Sequence, residues 1–129
     1  MRPILIAALA AIAAWAAGPG LARSAVDGGN RAAPALELIV FEHPDCAYCP
    51  AFRHNVAQRY QASPQAAEAP LRFVDITVSD TSRYGLQMPI TMVPTTVLMK
   101  DGREVDRIAG YWAPDSFLKM VAYIRAKAE

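Results

Sequence analysis

Two cysteines, Cys46 and Cys49, are the only thiols in the 129-residue chain, and Ala47 and Tyr48 alone separate them. Cysteine sulfur attacks disulfides, binds soft metals and oxidises, so the neighbouring residues must decide which chemistry a C-x-x-C pair performs. Upstream, Leu36-Glu37-Leu38-Ile39-Val40-Phe41 is apolar and β-branched at nearly every position, as in a central strand covered on both faces. His43-Pro44-Asp45 breaks that strand. From Cys46 to about Ala62, Cys49, Phe52, Val56 and Tyr60 recur at spacings of three and four residues, which predicts one buried helix face. Arg53, Gln58, Arg59 and Gln61 fall mostly elsewhere and are expected in solvent. The pair therefore sits where a buried strand turns into a helix, its sulfurs close enough for a reducible disulfide. Cys46 is expected at the helix N-terminus, where free N–H groups and the positive dipole end stabilise a thiolate. Thiols so placed have pKa values lowered to about 3.5–7.5 from roughly 8.5. Cys49, one turn further in, is expected to be less exposed. Cys46 would then attack or be attacked, and Cys49 would resolve the mixed disulfide.

Other chemistries stay open on these residues alone. Two cysteines cannot make a four-thiolate zinc site, and His43 and His54 lack the downstream spacing of a zinc finger. Cu(I) could be held by the pair with Met88 or Met92. No histidine follows Cys49, which disfavours covalent haem attachment. A purely structural disulfide would close too small a loop to stabilise much. Redox catalysis is the reading these arguments favour.

The remaining elements must position the pair. Ser63-Pro64 is expected to end the first helix, and Ala69-Pro70 to end the loop that follows. Leu71–Val78 is a second β-branched strand, so strand, helix and strand form a βαβ unit with a right-handed crossover. Ser79–Gln87 reads as a short helix or turn ending near Gly85. Thr95–Met99 and Glu104–Ile108 flank Lys100-Asp101-Gly102-Arg103, and an Asp-Gly between two strands is a hairpin signal because both residues take φ > 0. A final helix opens at Ala113-Pro114 or Asp115 and carries Phe117, Leu118, Val121 and Ile124 on its apolar face, with Arg125 and Lys127 at the negative dipole end. The order β-α-β-(short α)-β-β-α is that of an α/β domain.

The apolar fraction, 53%, is unevenly spread. Arg2, the uncharged run Ile4–Ala17, the Gly18-Pro19-Gly20 break and small residues after it match a cleaved signal peptide over residues 1–22, with cleavage after Ala22 or, second, Ser24. The run is shorter than the roughly 20 apolar residues that span a membrane. Residues 23–35 read as a flexible leader and 36–129 as one domain. Removing Arg2 with the signal brings 13 basic residues to 12 against 12 acidic ones, and zero net charge excludes the usual footprint of a nucleic-acid binder. The Ala-rich signal favours bacterial export to the periplasm, an oxidising compartment in which thiols pair.

Taken together, the C-x-x-C pair in its βαβ setting, Tyr84-Gly85, Val93-Pro94-Thr95, the run Thr96–Gly102 and Gly110 resemble the thioredoxin-fold oxidoreductases over Leu36 to Ala126. That resemblance implies a central four-stranded mixed sheet flanked by helices, with Pro94 in cis facing the dithiol. Such a bond costs little, since X-Pro prefers trans by only about 0.5–1 kcal/mol. The backbone of Val93 would pair with an extended substrate polypeptide, and Tyr48 would line its path. The chain departs from typical thioredoxins at Asp45, where they have Trp, and at Ala47-Tyr48, where they have Gly-Pro. The family's buried acid falls at Val40, with Glu42 and Asp45 as possible stand-ins and Asp45 also a plausible N-cap. The Phe41-Glu42-His43-Pro44-Asp45-Cys46-Ala47-Tyr48-Cys49 entry is most similar to the periplasmic thioredoxins of sulfur-oxidation (Sox) gene clusters, which act on a sulfur-carrier protein's cysteine.

The expected activity is thiol–disulfide exchange on a protein thiol or disulfide, without a cofactor or metal. A membrane electron-transfer reductase would supply electrons, because a periplasm is kept oxidising and lacks a thiol buffer. Isomerase or oxidase activity, or a Cu(I) or haem-apoprotein chaperone using the same pair, are the alternatives. Nothing in the pattern demands a second copy, so a monomer is expected.

Overall fold

A computed structural model describes residues 34–129. The expected signal peptide and nearly all of the expected leader lie outside the described residues.

Four strands form one mixed sheet: β1 (Leu36–Glu42), β2 (Leu71–Asp75), β3 (Thr95–Lys100) and β4 (Arg103–Ala109). Their order is β2-β1-β3-β4, with β1 and β2 parallel and the other two pairings antiparallel. The two middle strands are the two buried on both faces, β1 at Leu38–Phe41 and β3 at Thr95–Met99. Burial on both sides is what an unbroken Val/Ile/Leu run requires. The β3–β4 hairpin turns on Asp101 (φ 49°) and Gly102 (φ 76°), both in the left-handed region, as the Asp-Gly signal requires.

One face of the sheet is covered by two helices. The first, α1, runs continuously as an α-helical turn (Cys49–Ala51), a π-helical stretch (Phe52–Ala57) and a closing α-helical turn (Gln58–Gln61). Along it Phe52, Val56, Ala57 and Tyr60 lie buried. A short α2 (Gln65–Glu68) follows, and α3 (Pro114–Ala126) completes the layer with Phe117, Val121 and Ile124 buried. These pack with Leu38, Val40, Leu98 and Ile108 into the main core. The opposite face has a smaller core of Ile39, Phe41, Val74, Val97 and Met99, closed by Ile76, Tyr84, Leu86 and Ile90. Its cover is a 3-10 turn (Thr81–Tyr84) and the chain that follows.

Several expectations are corrected. The first helix begins at Cys49, not Cys46, because a helix from Cys46 would need the Pro50 nitrogen to donate to the Cys46 carbonyl, and proline has no N–H. That carbonyl accepts from the Cys49 N–H instead, at 3.3 Å. Asp45 is not the N-cap; Tyr48 occupies that position and no side chain caps the helix. Strand β2 stops at Asp75 rather than Val78, because the Asp75 carboxylate accepts from both the N–H (2.7 Å) and the hydroxyl (2.6 Å) of Thr77 and turns the chain. Between Ser63 and Ala69, where a loop is expected, the chain forms α2.

Candidate redox site

The site is assembled at one end of the sheet, and the strand register explains why. Phe41 pairs with Val74 on one side and with Thr95 on the other, and Thr95 pairs with Ala109. The end of β1 that leads to the cysteines is therefore also where β2 ends, where Val93-Pro94 enters β3, and where β4 leaves for Gly110, Tyr111 and Trp112.

Cys46 and Cys49 form a disulfide with their Cα atoms 5.4 Å apart. Cys46 lies in the turn before α1, its N–H donating to the His43 carbonyl at 3.0 Å. Cys49, the first helical residue, is buried at 5% exposure, whereas Cys46 is half-buried. The Cys49 N–H also donates to the Cys46 Sγ at 3.1 Å. So the helix brings its N-terminal amide, shared with the Cys46 carbonyl, to the outer sulfur although that residue is outside the helix. The outer sulfur thus sits in a half-buried turn and receives a helix-terminal amide, while the inner cysteine is buried.

Tyr48 is 64% exposed and stacks on Tyr111, with ring centroids 6.2 Å apart. The Val93–Pro94 peptide bond is cis. Pro94 is buried and Val93 half-buried, and the loop is pinned where it enters β3: the Pro94 carbonyl accepts from the Gly110 N–H (2.8 Å) and the Thr95 hydroxyl donates to the Met92 carbonyl (2.7 Å). Met92 and Trp112 are exposed nearby in the chain.

Behind the disulfide, Glu42, His43, Arg53, Asp75 and Cys49 line a cavity of about 220 Å³. Val40 is fully buried in the main core and brings no charge to it. The Glu42 carboxylate takes two hydrogen bonds from Arg53, one from Nε at 2.9 Å and one from Nη2. Those bonds hold the Arg53 pKa above its ordinary value despite the opposing effect of burial. The same guanidinium lies 3.8 Å from the centre of the Phe73 ring. Hydrogen bonds from Thr77 hold the Asp75 carboxyl below its ordinary value. Asp45, by contrast, is 93% exposed; its backbone N–H donates to His43 Nδ1 at 3.0 Å, which fixes the turn leading to Cys46. His54 lies on the exposed side of α1, away from this cavity's lining. Among the described residues no group of three or more His, Cys, Asp and Glu side chains converges as metal ligands would. Met88 and Met92 are both exposed.

The Glu42–Arg53 pairing is not readable from sequence, because eleven residues and a turn separate the two. Pro50 is different: its missing N–H was a legible signal for the true helix start.

Residues 32–125 match the family described as a thioredoxin-like domain. The periplasmic thioredoxin SoxS of Paracoccus pantotrophus, in its reduced form, is 32% identical and superposes with a TM-score of 0.67 over 73% of this chain and 99% of that one. A thioredoxin of Malassezia sympodialis, 21% identical, shares the fold with a TM-score of 0.58 over 74% of this chain and 80% of its own. A thioredoxin of Chlamydia trachomatis serovar D is 33% identical over 58 residues, 44% of this chain and 57% of that protein. The matched stretch thus spans little more than half the length of that relative.

Proposed function

Because this chain belongs to the thioredoxin-like family, we propose that it is a periplasmic thiol–disulfide oxidoreductase that reduces disulfides or mixed thiols of specific partner proteins. In the reduced protein, the Cys46 thiolate attacks one sulfur of the target disulfide; a Cys46–target bond forms and the other target sulfur leaves as a thiolate. Cys49, having lost its proton, then attacks Cys46 Sγ, so the second target sulfur departs and the Cys46–Cys49 disulfide closes. Two electrons pass from the dithiol to the target, and each departing sulfur takes up a proton. A membrane electron-transfer reductase returns the two electrons.

The observation that carries this reading is the asymmetry of the pair: an accessible Cys46 whose sulfur accepts a helix-terminal N–H, beside a buried Cys49. Val93, Pro94 and Tyr48 are assigned the substrate path because they meet the cysteines at the same end of the sheet. The periplasmic assignment draws on the signal-like residues 1–22 and on the likeness to a periplasmic thioredoxin. A sulfur-carrier protein is the partner class that this likeness favours.

The test is capture. Cys49→Ser, expressed with its leader, is expected to accumulate a covalent complex with a periplasmic protein, which dithiothreitol releases, while Cys46→Ser captures nothing. Equal capture by both variants, or by neither, sinks the assignment. A dithiol potential near about −120 mV, the oxidising end of this fold's range, would instead make the protein an oxidant.

A further inference from the structure

Strand β4 carries an irregularity that creates a buried ion pair. Along a regular strand, residues three apart point to opposite faces. Glu104 and Arg107 are three apart, yet they pair, Nε to Oε1 at 2.6 Å and Nη2 to Oε2 at 2.7 Å. The register explains it. Val97 pairs with Arg107 and Leu98 with Asp106, but Met99 pairs with Glu104, so Val105 is an extra residue. This bulge returns Glu104 to the face that carries Arg107, the face of Val97 and Met99. The Glu104 side chain is 3% exposed and that of Arg107 18%.

What the pair holds is the chain leading to Val93-Pro94. The Gln87 N–H donates to Glu104 Oε2 (2.7 Å) and the Gln87 side chain to the Glu104 carbonyl (3.1 Å). Arg107 donates to two successive carbonyls, Met88 (2.8 Å) and Pro89 (3.2 Å). The Glu104 N–H donates to the Gly85 carbonyl at 3.1 Å. Residues 85–94 form no helix or strand of their own, so these bonds, with those at Met92 and Pro94, set their course. A buried ion pair adds little net stability compared with an apolar filling of the same space. A planar guanidinium that reaches one carboxylate and two carbonyls does something an apolar filling cannot: it fixes a backbone.

We propose that the Glu104–Arg107 pair, made possible by the bulge at Val105, is a positioning device that pre-orders the 85–94 segment, and so the Val93–Pro94 backbone, for docking a polypeptide substrate. The inference rests on the oxidoreductase reading above. Arg107 itself touches no substrate. Ordering the segment before binding removes an entropic cost that would otherwise weaken the complex, a cost that a small disulfide requiring no docked backbone does not incur.

The experiment compares wild type and Arg107→Lys, each kept reduced by dithiothreitol and corrected for the uncatalysed rate, with insulin, a protein disulfide, and with hydroxyethyl disulfide. Lysine keeps the charge but cannot reach all three acceptors. The expected result is a KM for insulin raised about tenfold at unchanged kcat, with the hydroxyethyl disulfide rate within about twofold of wild type. Hydrogen exchange at Gln87 and Met92 is expected to quicken while that of β1 does not. An unchanged KM for insulin, or equal losses on both substrates, overturns the proposal. Should Arg107→Lys not fold, Glu104→Gln, which keeps shape and removes the charge, is read by the same outcomes. Wild type inert toward both disulfides sinks the oxidoreductase reading; wild type active on both with Arg107→Lys indistinguishable from it sinks the positioning role alone.

Discussion

The backbone N–H of Cys49 points at the sulfur of Cys46, 3.1 Å away, from the first position of a helix to which Cys46 does not belong. The outer cysteine thus gains the electrostatics of a helix terminus while staying in a solvent-facing turn, and the inner one is buried at 5% exposure. In the reduced protein, Cys46 is expected to react with iodoacetamide at pH 7 at least about tenfold faster than Cys49. Timed quenching and peptide mass mapping give the two rates. Equal rates would mean that the asymmetry has no chemical consequence.

Glu104 makes stability depend on acid. Burial by itself would raise its carboxyl, but the hydrogen bonds from Arg107 and the Gln87 N–H, and the Arg107 charge, outweigh burial and leave it below its ordinary value of 4.5. A carboxyl lowered by folding contributes stability that is present above the unfolded value and lost as the pH falls through the folded one. The difference in unfolding free energy between wild type and Glu104→Gln should therefore shrink as the pH drops below about 4.5. Urea titrations from pH 7 to 3 measure it; a constant difference would contradict the assignment.

Tyr60 produces the opposite dependence. Its single O–H donates to the Ala69 carbonyl (2.6 Å), with the Gln65 carbonyl 3.2 Å away, and burial, opposed by the charge of Arg125, pushes its pKa from 10.0 up to about 12. The raised value contributes stability that is complete below pH 10 and lost as the pH rises toward 12. Tyr60→Phe is expected to cost roughly 1–3 kcal/mol at neutral pH, because the Ala69 carbonyl loses its buried donor. That cost should diminish in alkali. A variant as stable as wild type at pH 7 would refute the role of the hydroxyl.

Gly85 ends the 3-10 turn with φ 61°, and a Cβ there would lie 2.4 Å from the Gly102 carbonyl oxygen. Gly102 also has a positive φ, 76°, but nothing lies within 4 Å of its missing Cβ. Gly102→Ala should lose only the backbone preference, about 1 kcal/mol, while Gly85→Ala should lose about 2 kcal/mol or more. Thermal unfolding of the two variants decides; equal shifts would remove the steric argument.

Much of the architecture was legible because it rests on local rules. The run Leu36–Phe41, apolar at nearly every position, marked β1 as a middle strand, since only a strand covered on both faces can bury it. Asp101-Gly102 fixed the hairpin turn through backbone conformation alone. Local chemistry also misled where two rules competed. The strand break at His43-Pro44-Asp45 argued for a helix from Cys46, and the missing N–H of Pro50 prevailed. The β-branched residues after Asp75 argued for a longer strand, and the carboxylate's bonds to Thr77 ended it.

The sequence by itself determined the reactive pair, the strand-to-helix setting that gives it chemistry, and the run containing Val93-Pro94, because each is written in neighbours a few residues apart. Only the tertiary structure decided what surrounds them. It put Val93-Pro94 and Tyr111 at the cysteines' end of the sheet through the pairing of Phe41 with Thr95 and Thr95 with Ala109. It joined Glu42 to Arg53 at the wall of the cavity behind Cys49. It also turned Glu104 and Arg107 to one face by a single extra residue. A strict alternation read along β4 places those two charges on opposite faces, and no local preference reveals the bulge, because the bulge exists only in the register between β4 and its partner strand.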